Sequence, residues 1–292
     1  MKIASHSEDI DGIVSAALLL KVFPDAEVKF LTAYQAHRTD ENFDVVADLF
    51  KPRNAKMVID HHETNLQKLI EEGRLTEDDL IDPKAPSAAY LVAKKFNLDD
   101  EISRELVEMA NKADSGELEG SLLLLDKLIK ENVRNQGYLY KLAKTLSIIG
   151  CNFEQDEWLS KELRRIEKVV KKAYEKINEI ISLLHEKGIK FVIFDAREVP
   201  FYVAKDFASR LVRTGGNVGI SIYYDHLNNL RCSIRISKEF DGIKANEIAS
   251  KLGGGGHEKA AGCVIRNLGN ALLKMLEELS KFGLVCILKV KI

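Results

Sequence analysis

Short apolar runs alternate with helical periodicity through the first sixty residues, and nearly every run leads into an acid. Residues 2–5 read as a buried strand, followed by a loop at Ser5–Gly12 and a helix over Ile13–Phe23. Val28–Leu31, Val45–Asp48 and Met57–Asp60 read as three further strands. Strands and helices in this order pack as a parallel sheet within an α/β layer. Ligands of such sheets gather outside the carboxyl ends of the strands. Asp9, Asp11, Asp48 and Asp60 all fall at or just after those ends. A site is therefore expected along that edge.

Helices follow at 64–72, 86–96 and 100–113, with more between 119 and 150. The longest periodic segment, 155–186, places Leu159, Leu163, Ile166, Val170, Ile177, Ile181 and Leu184 mostly at three- and four-residue steps. That is an amphipathic helix, read as a structural strut. Three parts are expected: a parallel-sheet domain over 1–150, a connecting helix over 151–188, and a smaller mixed α/β domain over 189–292. In the last, Lys190–Phe194 reads as a strand and Tyr202–Thr214 as one helix. Val218–Tyr224 and Leu230–Ile236 form a hairpin around Asp225–Asn229. A helix at Ala245–Leu252, a glycine loop, a strand at Ala260–Ile265 and a helix at Ala271–Lys281 follow. Val285–Ile292 closes as a strand or tail.

Charged residues make up 30% of the 292, yet the net charge is only −2. That balance excludes a broad basic surface for duplex DNA, so any nucleic-acid substrate is expected to be short or gripped locally. Cys151, Cys232, Cys263 and Cys286 contain no CxxC pair, which points away from a disulfide framework or thiolate zinc site. No secretory leader pattern follows Met1 and no window approaches eighteen apolar residues, so a cytoplasmic chain without a membrane span is expected.

His6, Asp9 and Asp11 share one predicted loop, Asp48 and Asp60-His61-His62 end strands, and Asp114 follows a helix. Carboxylates and imidazoles without thiolates suit Mn²⁺ or related ions, and there are enough of them for two. Singly, each has a plainer explanation. Asp9 or Asp11 caps the helix at Ile13, Asp48 ends a strand, Asp114-Ser115-Gly116 terminates a helix, and His61-His62 is a buried pair. Four such pieces in order, most at the strand ends of one sheet, favour the joint reading. Far downstream, Gly253–Gly256 would let backbone N–H groups approach an anion, with His257 adding a hydrogen bond. Ser233 and Arg235 share a face of the second hairpin strand, and Arg235 offers a planar fork for phosphate. A hinge or plain turn is the competing reading of the glycines. His37 with Arg38 could reach substrate, but a solvated loop is the favoured reading, and Tyr223 and Tyr224, which could stack a base, are read as packing residues.

The order His6-x-x-Asp9-x-Asp11-Gly12, Asp48, Asp60-His61-His62 and Asp114 resembles the DHH phosphoesterase superfamily. Gly253–Gly256, His257 and Ala260-Ala261-Gly262 resemble its associated substrate-binding domain, as in RecJ-like and nanoRNase-like members. Nanoribonuclease-like members usually carry one more residue between the histidine and the first aspartate, which makes His6 the least secure ligand and Glu8 a remote substitute.

The resemblance implies a binuclear Mn²⁺ centre, with Mg²⁺ or Co²⁺ as alternatives. His6 and Asp9 would hold one ion, Asp11, His61 and Asp114 the other, and Asp48 would bridge. Asp60 would orient the histidines, and His62 would stabilise charge or assist proton transfer at the scissile phosphate. Ser233, Arg235, Gly253, Gly254, Gly255, Gly256 and His257 would bind substrate. The implied activity is a manganese-dependent phosphodiesterase or exonuclease releasing 5′-mononucleotides from short single-stranded RNA or DNA. A 3′-phosphoadenosine 5′-phosphate phosphatase or a cyclic-dinucleotide phosphodiesterase is the alternative. A non-catalytic nucleotide-binding subunit ranks below both. The expected partner is an oligonucleotide or small nucleotide, and a homodimer is compatible with the sequence.

Overall fold

The computed structural model describes Met1–Lys291, and the chain divides into two compact units, Met1–Glu167 and Lys168–Ile292. The first unit contains β1 (Lys2–His6), α1 (Ile10–Val22), β2 (Glu27–Leu31), α2 (Ala33–Ala36), β3 (Phe43–Ala47) and β4 (Ala55–Asp60). It continues with α3 (Glu63–Glu71), β5 (Leu80–Ile81), α4 (Ala88–Lys95), α5 (Glu101–Asp114), α6 (Gly120–Glu131) and α7 (Gln136–Ile149). Its five strands are all parallel, in the order β2-β1-β3-β4-β5. Strand order reverses between β1 and β3, so a crevice opens there at the carboxyl edge.

Helix α1 is apolar on nearly every side and is buried against α4, α5 and α7. The opposite sheet face carries a second core of Ala4, Leu31, Phe43, Val46 and Val58, closed by Ala36 of α2, Leu49, Phe50 and Leu69 of α3. No helix links β3 to β4. Seven residues cross back over this face, starting from Asp48, whose N–H still extends the ladder to Ile59 O at 3.0 Å. Its φ of +56° turns the chain away from the sheet.

The long helix α8 (Glu157–Glu186) is one element, and the division between units falls inside it. Its first turns belong to the first unit, where Trp158 packs on Tyr138 and Arg165 pairs with Glu131. Farther along, Tyr174 donates to Asp206 at 2.7 Å within the second unit. The expected separate connector over 151–188 is thus shared between the two units.

The second unit contains β6 (Phe191–Glu198), α9 (Phe201–Ala204), α10 (Phe207–Arg213), β7 (Val218–Tyr224), β8 (Leu230–Ile236), α11 (Ala245–Lys251), β9 (Gly255–Gly256), β10 (Ala260–Val264), α12 (Leu268–Leu279) and β11 (Val285–Lys291). These make a mixed sheet, β11-β6-β7-β8-β10-β9, parallel on its first three strands and antiparallel on the rest. Val218, Ile220, Ile222, Cys232, Ile234, Ile236, Ala261 and Cys263 point into its core with Ile248 of α11 and Met275 of α12. The expected single helix at 202–214 is two helices, broken at Lys205–Asp206. Among the described residues no helix is long and apolar enough to cross a membrane.

Candidate metal centre

The acids and histidines converge on the carboxyl edge of the parallel sheet, at the β1/β3 crevice and the adjoining end of β4. His6 closes β1, but the loop expected through Gly12 is shorter than the sequence indicates. Asp9 caps α1 by accepting the Gly12 N–H at 3.0 Å, which draws Asp11 and Gly12 into the first helical turn. The other Asp9 oxygen meets His6 Nδ1 at 2.8 Å, and Asp48 reaches the same nitrogen at 3.2 Å. The short spacing between His6 and Asp9 therefore does not take His6 out of the cluster. Glu8 approaches Nε2 at 3.5 Å.

Asp11 is buried and accepts the N–H groups of Ala88 and Ala89 at 2.7 and 2.8 Å, at the start of α4. His61 Nε2 lies 3.1 Å from Asp114, 3.7 Å from Asp11 and 3.9 Å from Asp48. Asp114 is the last residue of α5 rather than part of the following loop. Three sets of side chains could each hold a cation: His6, Asp9 and Asp48; Asp11, His61 and Asp114; and Asp48, His61 and His62. Asp48 belongs to two of them, which is the arrangement a bridging carboxylate needs. The third set adds His62 to the expected ligands. Asp9, Asp48, His61, His62 and Asp114 line a cavity of about 470 Å³.

Asp60 orients one histidine ring, not two as the resemblance implies. It is fully buried and accepts from His62 Nδ1 at 2.8 Å, from the His61 N–H at 2.8 Å and from Asn65 Nδ2 at 2.6 Å. The His61 ring instead turns Nδ1 to Ala85 O at 3.4 Å, the tautomer that leaves Nε2 free to ligate. Two polar residues escape the sequence reading. Asn65 steadies Asp60, and Asn111 lines the cavity one helical turn before Asp114 while accepting from Ser87 at 2.6 Å. The spacing Asn111-x-x-Asp114 was the available signal, since both side chains share a helix face.

The electrostatics call for positive charge. Burial, then Asp114 and Asp9, push the Asp11 carboxyl up to about 7. Burial, Asp11 and Asp9 push Asp48 well above the ordinary carboxylate range. Burial opposes charge on His6, but Asp9, Asp48 and Glu8 outweigh it and raise the imidazole well above its usual value. His61 rises to about 9 against burial, through Asp114 and Asp11. Protons here occupy the role of cations, and the all-oxygen-and-nitrogen donor set fits divalent first-row ions.

A pH dependence follows for the chelated chain. Asp11 in the fold holds a proton that the unfolded chain releases near pH 4, so stability falls as pH rises from there to about 7. The stabilising attraction at His61 is complete below about 6.5 and lost as pH passes about 9. Asp9, held low, contributes throughout that window. Thermal midpoints in EDTA are expected to decline from pH 5 to pH 8.5. With excess Mn²⁺ the decline should disappear, because bound cations replace both protons.

In the second unit, Ser233, Arg235, Gly262 and Gly255 stand on one sheet face, opposite the core, because their registers pair across β8, β10 and β9. The glycine segment is not wholly a loop: Gly255–Gly256 form the edge strand, and His257 opens the turn into β10 with its N–H to Ala260 O at 2.8 Å. Gly253 and Gly256 have φ of +75° and +140°. At Gly254 a Cβ would fall 2.3 Å from Gly262 O. Gly255 is different: a Cβ there would meet nothing within 4 Å. Arg235 donates to its neighbour's Ile234 O at 2.9 Å, and Lys259 is tied to Asp241 at 2.7 Å.

Residues 188–282 match the family model of the DHHA1 domain. The whole fold superposes on a pGpG-specific phosphodiesterase, PggH, from Vibrio cholerae with a TM-score of 0.65 and 18% identity. That match covers 96% of this chain and 98% of the other. Residues 188–282 thus carry a DHHA1 domain, and the chain as a whole shares its fold with this phosphodiesterase. RecJ from Thermus thermophilus, in complex with Mg²⁺, matches with a TM-score of 0.55 at 17% identity over 99% of this chain and 51% of its own. This chain thus spans about half the length of the Thermus protein. An exonuclease RecJ bound to manganese matches with a TM-score of 0.54 at 16% identity, covering 97% and 90% of the two chains. Among curated proteins no sequence matches.

Proposed function

We propose that this chain is a divalent-cation-dependent phosphodiesterase that hydrolyses short single-stranded oligonucleotides to 5′-mononucleotides. One observation carries the proposal: His6, Asp9, Asp11, Asp48, His61, His62 and Asp114 fall into three overlapping cation-holding sets, and Asp9, Asp48, His61, His62 and Asp114 of these line one cavity. His6 and Asp9 would hold one ion, Asp11, His61 and Asp114 a second, with Asp48 between them. Bound divalent cations would supply Lewis acidity toward the phosphoryl oxygens and lower the pKa of water. Mn²⁺ is the preferred reading, and RecJ structures with Mg²⁺ or manganese support either ion.

His62 is half-exposed and bonded through Nδ1 to buried Asp60. That hydrogen bond raises its pKa and fixes the ring, leaving Nε2 to meet a phosphate oxygen or protonate the leaving alkoxide. Asp60 and Asn65 act by holding that ring. In the DHHA1 unit, Arg235, Ser233 and His257 would bind substrate phosphate and sugar, with Gly255 admitting the ligand close to the backbone. Because the fold leaves room for a Cβ at Gly255, Gly255→Ala is expected to keep the thermal midpoint within 2 °C or so and raise KM about tenfold with little change in kcat. An unchanged KM would remove Gly255 from the binding surface.

The full-length likeness to a protein named for pGpG, a dinucleotide, supports substrates at the short end of the range. Product analysis on end-labelled two- to five-residue oligonucleotides with Mn²⁺ tests the proposal. Mononucleotide release, abolished by EDTA, is the expected result. Phosphate release from 3′-phosphoadenosine 5′-phosphate, with every oligonucleotide intact, would overturn it.

A further inference from the structure

A groove of about 1110 Å³ lies in the first unit, over the sheet face that carries α2 and α3, and the metal centre does not use it. It is bounded by residues 36–40, by the crossover Phe50–Arg53 and by Lys68, Glu72 and Arg74. Five of its side chains are Lys or Arg, against the acids Asp40 and Glu72. Two of the five are engaged in the fold. Lys51 is buried and paired with Asp79 at 2.8 Å, and Arg74 bonds Glu72 and Lys51 O, both at 2.8 Å. Arg38, Arg53 and Lys68 form no salt bridge among the described residues, although the charges of Lys68 and Arg53 reach Glu72 and help to lower its pKa.

Aromatic surfaces are interleaved with these cations. The His37 ring stacks on Phe50 with centroids 4.3 Å apart, and Lys68 Nζ sits 4.7 Å from the Phe50 centroid. Arg38 covers the exposed Tyr34 ring at 3.6 Å. Burial, then Lys68 and Arg38, lower the His37 pKa from its ordinary value. Cations outside any salt bridge beside flat rings are the chemistry that holds a single nucleic-acid strand, charge on phosphate and ring on base. The groove is also tethered to the metal centre at both walls. Phe50 lies two residues beyond Asp48, and α3 starts directly after His62, with Lys68 about 9 Å along its axis.

We infer that this groove is a second phosphate-binding subsite, which holds the backbone of an oligonucleotide beyond its terminal dinucleotide. The inference rests on the nuclease reading above and narrows it: chains of four or five residues should be better substrates than dinucleotides. A near-neutral protein can grip a strand this way because the charge is gathered in one groove rather than spread over the surface.

The test uses the full chain and the double variant Arg53→Ala/Lys68→Ala, both changes being at exposed side chains. With Mn²⁺, wild type is expected to show a lower KM for a pentanucleotide than for a dinucleotide. The double variant should raise the pentanucleotide KM about tenfold, to the dinucleotide value, and leave the dinucleotide KM unchanged. In EDTA, fluorescence anisotropy of a labelled pentanucleotide should show weaker binding and a salt dependence shallower by roughly 0.7 per charge removed. Arg53→Lys/Lys68→Arg should restore both. Identical pentanucleotide KM and identical salt slope would overturn the inference. Equal affinity for a mononucleotide and a pentanucleotide, both lost in the variant, would make this a free-phosphate site and overturn it too. Failure to cleave any oligonucleotide would sink the nuclease reading alone, and the EDTA titration would still decide the groove.

Discussion

Asp48→Asn is expected to lower turnover by roughly 10³-fold or more while leaving the chelated chain as stable as wild type, or more so. Asp48 is 3% exposed and sits at φ +56°, a conformation costly for most L-residues but tolerated by asparagine and aspartate. The backbone demand of the turn is thus met by either residue. The carboxylate is a different matter. Asp48 lies in two of the three candidate cation sets and 3.9 Å from His61, so in the proposed centre its charge would serve both ions, and an amide would supply one neutral oxygen in its place. In the absence of metal that charge is a liability, because burial and the neighbours Asp11 and Asp9 oppose its ionisation. Removing it should raise the thermal midpoint in EDTA and abolish the further rise with Mn²⁺. Retained turnover with an unchanged Mn²⁺ response would show that Asp48 is no ligand.

Gly12→Ala should be the most damaging change that replaces no candidate ligand. A Cβ at residue 12 would fall 2.3 Å from His6 O and 2.5 Å from His6 Cβ. The first of these is backbone, so either the end of β1 or the first turn of α1 must move. Ser5 Oγ donates to Gly12 O at 2.6 Å, and Asp9 caps the Gly12 N–H, so the shift would pass to His6, Asp9 and Asp11 together. Destabilisation of about 1–3 kcal/mol is expected from overpacking, with a loss of about 10²-fold in kcat/KM from misplaced groups. Circular dichroism and activity measured on the same preparation separate the two effects. Wild-type activity in a destabilised variant would mean that β1 and α1 give way without disturbing the site.

The parallel sheet was legible because its strands carry short apolar runs, and Asp48 and Asp60 mark the carboxyl ends of two of them. The hairpin of the second unit was legible for a related reason, since alternation and the turn at Asp225–Asn229 act locally. Elements decided by partners were not. Gly255 and Gly256 have no strand propensity, yet pair with Gly262 and Ala261, and at Gly256 a Cβ would fall 2.6 Å from Ala261 Cα. Asp9 has one side chain for two roles, and capping won the backbone while leaving an oxygen for His6. The tether of Asp11 to the N–H groups of Ala88 and Ala89 spans more than seventy residues, and no local pattern encodes it. His61 and His62 are adjacent in sequence, but one ring is fixed by Ala85 O and the other by Asp60, a distinction set by where α3 begins.

The central claim is that the acids and histidines of the first unit hold two divalent cations side by side. Crystals grown with Mn²⁺ and measured at the manganese absorption edge test it most directly. The account predicts two anomalous peaks roughly 3.5–4 Å apart, with Asp48 between them, and loss of at least one in Asp48→Asn. A full-occupancy Mn²⁺ lying elsewhere, with none within ligand distance of Asp48 and His61, would contradict it.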